Sequence, residues 1–494
     1  MRRSYLPTAG LIVTVLGFAA WAFLNNHCAE GQIRSGMICV AQRSSPSPSD
    51  EPIAPSLSSS SKAPPEPSLV SIDTEMRFSR GERVFFRGDG NPDRDQGVEF
   101  FKQGKYQQAI NSFTQAVANI PNDPESRIYL NNVRALKQTN PYTLAVVVPV
   151  ESREDVAKEI LRGVADAQIK FNDADGKDDR LLEVLIVDDA GNKEVAQKVA
   201  AQLANQSEVL AVIGHNSSDT SLSALPEYEK AKLALISPTA TSTALKGNVF
   251  FRTLPSDNAA GAKLADYAKK EGMGKVVIFY DSTSSYSRSL EESFKQHFKE
   301  KGGSVIPSID LSDEALDREE KLRHAAEQDK VQAAVLLPSV KMVPRAISVA
   351  RANTQLPPDQ RLRFLGGDAL FDNRTLINGG SAINDLVLAV SWVADTPYAE
   401  AAKTRWGGRV GWRTANSFDA AQALIQSIQT LSGEVSRASV LKKLRSLQLS
   451  AQETAGNPLK FEPSGDRLAE PILVKVRKGG ERPLGSDYGF QLSP

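Results

Sequence analysis

Downstream of Tyr142 the chain repeats one pattern: a short continuous apolar run, a turn, then a stretch with helical period. The runs are Leu144–Val148, Leu182–Val187, Val209–Ile213, Leu233–Ile236, Val276–Tyr280, Ala333–Leu337, Arg363–Leu365 and Leu386–Val390. Between them, spacings such as Val156, Ile160, Val164, Ala167 and Val195, Val199, Leu203 place apolar side chains on one helix face. Strands that are apolar throughout are buried on both faces, so the pattern demands parallel sheets covered by helices, an α/β fold. Roughly 350 residues are too many for one such sheet, and two Rossmann-like lobes with a cleft between them are the expected solution.

In open parallel sheets, ligands bind beyond the carboxyl ends of the strands. Two runs end there in hydroxyls: "VLAVIGHNSSDTS" carries Ser217 and Ser218, and "LALISPTATST" carries Ser237, Thr239, Thr241, Ser242 and Thr243. Such groups, with free backbone N–H groups at a helix start, form a neutral cage for an anion. The same residues also cap helices routinely, so each cluster alone reads as a cap and the pair reads as a carboxylate site. In the far lobe, "FYDSTSSYSRS" places Asp281 and Tyr286 in a loop after a strand. "RFLGGDALF" places Asp368 behind two glycines, where it can project into a cleft and receive an ammonium group.

The segments "VPVESREDVAKEILRGVADAQ", "VIGHNSSDTSLSALPEYEKAKLALISPTAT", "VFFRTLPSDNAAGAKLADYA", "GGDAL", "ANSFDAAQAL" and "LKFEPSGDR", in this order, resemble the type I periplasmic binding proteins of the leucine/isoleucine/valine-binding kind. The resemblance implies a two-lobed binding domain over residues 142–490. It implies that Ser218, Thr239 and Thr241 hold a ligand carboxylate, and that Tyr286 and Asp368 hold its ammonium. Two departures stand out. A family tyrosine is missing from "LPSVKMVP", where Ser339 and Lys341 stand instead, and Asp368 occupies a position where branched-chain binders carry Glu.

The N-terminal part is organised differently. Arg2 and Arg3 precede "YLPTAGLIVTVLGFAAWAFL", an uncharged stretch of about the length that spans a bilayer. Residues 1–25 are therefore expected to be a single-pass anchor with the bulk of the chain extracytoplasmic. Ala20-Trp21-Ala22 offers the alternative of a cleaved signal peptide. Cys28 and Cys39 are the chain's two cysteines, and in an exported chain they are expected to pair, closing a small loop within residues 26–43. Residues 44–70 are dominated by Ser and Pro and read as an extended linker. In residues 92–138, Gly97, Gly104, Tyr106, Ala109, Phe113, Ala116 and Pro121 resemble the packing positions of one tetratricopeptide repeat, with a further helix to cap it. Such a unit serves either as a contact surface for another envelope protein or as a collar for the next domain.

Acidic and basic residues balance at 59 each, which gives nothing for nucleic acid to hold. "DADGKDDR" lacks the glycine position and closing Glu of a calcium loop. No nucleophile–base pair and no Gly-Lys-Thr phosphate loop occurs, so neither metal, cofactor nor enzymatic activity is expected. The chain reads as a solute-binding protein that takes an amino acid or similar zwitterion and serves an ABC permease or a sensor. The alternative is a ligand-free scaffold resembling the envelope proteins that activate peptidoglycan synthases.

Overall fold

The computed structural model describes residues 32–35, 38–41, 75–138, 140–480 and 482–493. The apolar N-terminal stretch and Cys28 lie outside the described residues, and with them the anchor and the disulfide. No helix among the described residues is long and apolar enough to cross a membrane. The chain forms two compact units, Met1–Leu69 and Val70–Pro494. In the first, Gln32–Ser35 pairs antiparallel with Ile38–Ala41.

The second unit opens with three helices, α1 (Pro92–Lys102), α2 (Tyr106–Asn119) and α3 (Pro124–Lys137). Asn91 and Asp123 cap α1 and α3 with their side chains, and a proline follows each cap, where the missing N–H costs nothing. Gly104 turns the chain between α1 and α2 at φ +68°. Ala109, Phe113 and Ala116 are fully buried, and Gly97 lets Phe113 in: a Cβ there would lie 2.6 Å from the ring. A buried charge cluster fastens the helices to one another and to the segment ahead of α1. Arg94 lies 3.4 Å from Asp123 and 3.3 Å from Glu125, and Glu125 accepts the backbone N–H groups of Phe85 and Phe86 and the Tyr129 hydroxyl.

Lobe I is a six-stranded sheet in the order Phe78–Ser79, Leu182–Asp188, Tyr142–Val148, Val209–Ile213, Ala234–Ser237, Phe250–Arg252. All neighbours are parallel except the first pair. Its long strands are buried at every residue, as the apolar runs require. Lobe II centres on the parallel strands Lys275–Tyr280, Ala333–Leu337, Arg363–Gly366 and Val387–Val390. Short strands Ser304–Val305 and Ile309–Asp310 flank the first of these. Ile472–Lys478 and Tyr488–Leu492 then add antiparallel to the far side. Both sheets are thus mixed rather than purely parallel. The antiparallel pieces escape a search for continuous apolar runs because Ile472–Lys478 alternates with Lys475, Arg477 and Lys478.

The chain crosses between lobes three times: between Arg252 and Asp257, after Val390, and ahead of Ile472. The helix Trp412–Gln429 returns to lobe I and lies along Glu154–Asn172. Gly163 makes that approach possible, since a Cβ there would sit 2.1 Å from the Thr414 carbonyl oxygen and 2.6 Å from the Phe418 nitrogen.

Candidate functional site

The hydroxyl-rich strand exits of lobe I sort into distinct jobs. Ser217 is the N-cap of the helix Ser218–Ala231 and forms a capping box with Thr220. Ser218 begins the helix, is buried, and its Oγ accepts the Ser242 backbone N–H at 3.2 Å, tying the two loops together. Ser237 donates to the His215 carbonyl at 3.0 Å. Thr239 donates to the Asn216 carbonyl at 2.7 Å, so its hydrogen is spent within the loops. Thr241 differs: its buried Oγ1 completes no hydrogen bond.

Beneath these loops His215 is wholly buried, with Nδ1 donating to Asp189 at 2.7 Å and Nε2 meeting the Tyr228 hydroxyl at 3.0 Å. This pins the turn that presents Ser217 and Ser218. A histidine amid scattered histidines gave no sign of that in sequence.

In lobe II, Tyr286 sits in the first turn of the helix Ser285–Glu300 rather than in a loop; Ser284 supplies the cap, so the helix begins one residue ahead of Tyr286. The Tyr286 hydroxyl accepts the Ala369 backbone N–H at 3.3 Å. Gly367 makes room for it, since a Cβ there would lie 2.4 Å from that hydroxyl. Asp281 is used in its own turn, accepting from Thr283. Asp368 begins a short 3₁₀ turn directly after Gly367. Burial pushes its carboxyl above the usual range, opposed by the Tyr286 hydroxyl and by the charge of Arg413.

Thr241 and Asp368 face one cavity, joined there by Pro255, Asp257, Ala260, Ala389, Val390, Ser391 and Pro471. It measures about 10 Å³, about the room of one water molecule. Ser218, Thr239 and Tyr286 are not part of its lining.

Asp257 is the group that sequence reasoning missed. It opens the helix Asp257–Lys270, where an acid reads simply as a favourable partner for the helix dipole. Its Oδ2 is buried and completes no hydrogen bond. Burial, and then the facing charge of Asp368, push its pKa up to about 7; the Thr241 and Ser289 hydroxyls and Arg252 pull the other way. The cavity lining thus holds two carboxyl groups, the side chains of Thr241 and Ser391, and no lysine, arginine or histidine. No cluster of metal-ligating side chains exists among the described residues.

Two α/β lobes joined by three crossovers and closed over a small cavity that holds two acids define a bilobal ligand-binding protein. The chain belongs to the periplasmic binding protein family, whose model matches residues 141–481, a family that binds ligands rather than transforming them. Its fold is that of a leucine binding protein LivK from Thermotoga maritima, at 22% identity and a TM-score of 0.61, over 71% of this chain and 99% of that one. An ABC transporter substrate-binding protein from Desulfitobacterium hafniense in complex with Leu compares at 20% and 0.60, over 71% and 100%. One from Rhodopseudomonas palustris in complex with 3,4-dihydroxy benzoic acid compares at 19% and 0.60, over 71% and 95%. In sequence, the chain is 26% identical over 146 residues to an amino acid binding protein of Pseudomonas aeruginosa. That match spans 28% of this chain and 38% of the relative's length.

Proposed function

We propose that this chain is an extracytoplasmic solute-binding protein that captures a small ammonium-bearing ligand, an amino acid or similar zwitterion, for an ABC permease or a sensor. The observation that carries this reading is the pair of acids, Asp257 and Asp368, on one cavity with no basic side chain in its lining. Among solved relatives, one holds Leu and another an aromatic acid. An aromatic carboxylate would meet like charge here, whereas an ammonium would meet opposite charge and favour the ionised form of Asp257. Thr241, whose hydroxyl lies beside Asp257, supplies a donor, and Ser218 retains a hydrogen to donate to the carboxylate. Of the five residues the resemblance implies, Thr241 and Asp368 line the cavity and are joined there by Asp257; Thr239 braces the loops, and Ser218 and Tyr286 would have to be reached as the lobes part. A cavity of about 10 Å³ is far smaller than an amino acid, so the lobes must part to admit one. Residues 1–25 fit a membrane tether, and the unit formed by α1–α3 fits a tetratricopeptide-like collar or contact surface for another envelope protein.

A second reading, the ligand-free scaffold, is favoured by that same small cavity. A thermal-shift screen of the full chain against amino acids, diamines and aromatic acids separates the two, because a ligand at 100 times its Kd adds about 2.7 kcal/mol of stability. Calorimetry on Thr241→Val and Asp368→Asn should then show losses of about 1.5 to 3 kcal/mol, roughly ten- to 150-fold. If no amine-bearing compound shifts the melt, the scaffold reading replaces this one.

A further inference from the structure

The lobe II sheet ends on the strand Tyr488–Leu492, which pairs with Ile472–Lys478 on one side and with no strand among the described residues on the other. Along this antiparallel pair the Gly479 N–H donates to the Asp487 carbonyl and the Ser493 N–H to the Leu473 carbonyl. Hydrogen-bonded pairs alternate in such a ladder, so Gly489 and Gln491 face inward, toward Arg477 and Lys475. The N–H and C=O groups of Tyr488, Phe490 and Leu492 face outward. Tyr488 spends its groups on the Ser486 hydroxyl; Phe490 and Leu492 have no such cover.

Sheet edges are normally blunted by shortness, charge, proline or a covering segment. The other edges in this chain follow that rule. Phe78–Ser79, Ser304–Val305 and Ile309–Asp310 are two residues long, and on Phe250–Arg252 the Arg252 N–H is taken by the Gly465 carbonyl at 3.0 Å. The edge "YGFQL" has five residues and neither charge nor proline. Nearby charges lie on the inner strand, where Lys475 and Arg477 are both paired to Asp385. Large apolar side chains stand out at both ends of the edge. Leu484, in the turn ahead of Tyr488, is 99% exposed and Leu492 is 59% exposed. Ile377 is 44% exposed on the helix Asn373–Gly379, which meets that turn where Ser486 donates to the Leu376 carbonyl.

We propose that this edge is the seat of a two-fold dimer, in which a second copy of the chain lays its own Tyr488–Leu492 antiparallel alongside the first. Centred on Phe490, that register joins Phe490 to its counterpart through both backbone groups and puts Leu492 of each copy opposite Tyr488 of the other. The apolar ends of the edge, apart within one chain, are thereby brought together: Leu492 of one copy reaches the end where Leu484 and Ile377 of the other stand. A strand without charge meets itself with no like charges opposed, and the two lobe II sheets become one continuous sheet across a self-complementary interface. An unrelated extended segment would receive the same backbone bonds but not the matched ends. The inference is independent of what the cleft takes.

The test uses the full chain in detergent micelles from about 1 to about 100 μM, a range over which micromolar association is read directly. Sedimentation velocity should show the protein mass doubling, and hydrogen exchange should slow at Phe490 and Leu492 over the same range. Leu492→Lys charges the edge, and Leu492→Pro removes an outward N–H that the chain's own ladder does not use. Each should weaken association roughly tenfold or more and restore fast exchange at Phe490, while the melting temperature at the lowest concentration stays that of the parent. Leu468→Lys, at a leucine of similar exposure on the third crossover, should leave the dimer intact. A chain that stays a single copy throughout would overturn the proposal. So would a dimer that both Leu492 variants leave unchanged, as pairing through residues 1–25 would give, or edge amides that slow only when an extended peptide of another sequence is added.

Discussion

Asp257→Asn tests the chemistry of the cavity most directly. In the parent, burial and the facing Asp368 raise the Asp257 pKa to about 7 from its ordinary 3.8. The native state therefore holds a proton that the unfolded chain releases near pH 4. Because the folded-state value is the higher one, the associated stability is fully present below about pH 4 and is lost as pH climbs to about 7. At about 1.4 kcal/mol per unit over about three units, the loss is on the order of 4 kcal/mol. An ammonium ligand favours the ionised carboxylate, so binding must expel that proton whenever the pH is below about 7. Affinity should be level above about pH 8, half-maximal near 7, and roughly tenfold weaker at pH 6. Calorimetry from pH 5.5 to 8.5, in paired buffers of different ionisation heat, reads both the affinity and the released proton. Asp257→Asn should flatten the profile and bind about ten- to 150-fold more weakly than the parent at pH 8, with the gap narrowing toward pH 5.5. Affinity that does not change over that range, with no proton released, would refute the reasoning. So would a variant that follows the parent's curve.

Gly163→Ala should lower the denaturant midpoint of the whole domain by at least the 1–3 kcal/mol typical of overpacking, because its Cβ would meet backbone atoms of a neighbouring helix rather than a side chain that can turn away. Glu125→Ala should cost about 3–5 kcal/mol, leaving Arg94 buried with a partner removed and two backbone N–H groups unpaired; hydrogen exchange should show the loss first in α1–α3. Gly367→Ala should displace the Tyr286 hydroxyl and crowd the buried Leu290, lowering stability by about 1–3 kcal/mol in a thermal melt and weakening ligand binding by about tenfold or more in calorimetry.

The α/β pattern was open to reading because a strand covered on both faces has to be apolar at every residue, as Val209–Ile213 and Ala333–Leu337 are. Phe250–Arg252 escaped because three residues are too few to show a period, and Ile472–Lys478 because its charges break the run. At the site, residue type announced hydroxyls but not their employment. Only the structure separates Ser217 and Thr239, whose hydrogen bonds are spent locally, from Thr241, whose hydroxyl is turned toward Asp257. Asp257 was hidden by its place at a helix start, where an acid has an ordinary explanation.

One side chain from the helical unit has an outsized bearing on where this domain truly begins. The strand Leu182–Asp188 pairs with Phe78–Ser79 only through Val187 and Ile186. Further along the same edge, the Asn132 side chain of α3 stands in for a missing strand: its oxygen accepts the Val184 N–H and its nitrogen donates to the Val184 carbonyl, each at 2.8 Å. The same amide nitrogen donates to the Arg80 carbonyl at 2.7 Å, and Gln168 steadies the oxygen. A chain trimmed to the family boundary at Pro141 would lose both covers and leave the edge bare over Val184–Val187, while Leu182 keeps its hydrogen bonds to Asn172; a bare edge is a template on which copies stack. The helical unit is thus a guard against self-association, and a shortened chain should come off a sizing column as aggregate where the longer one elutes as a discrete species.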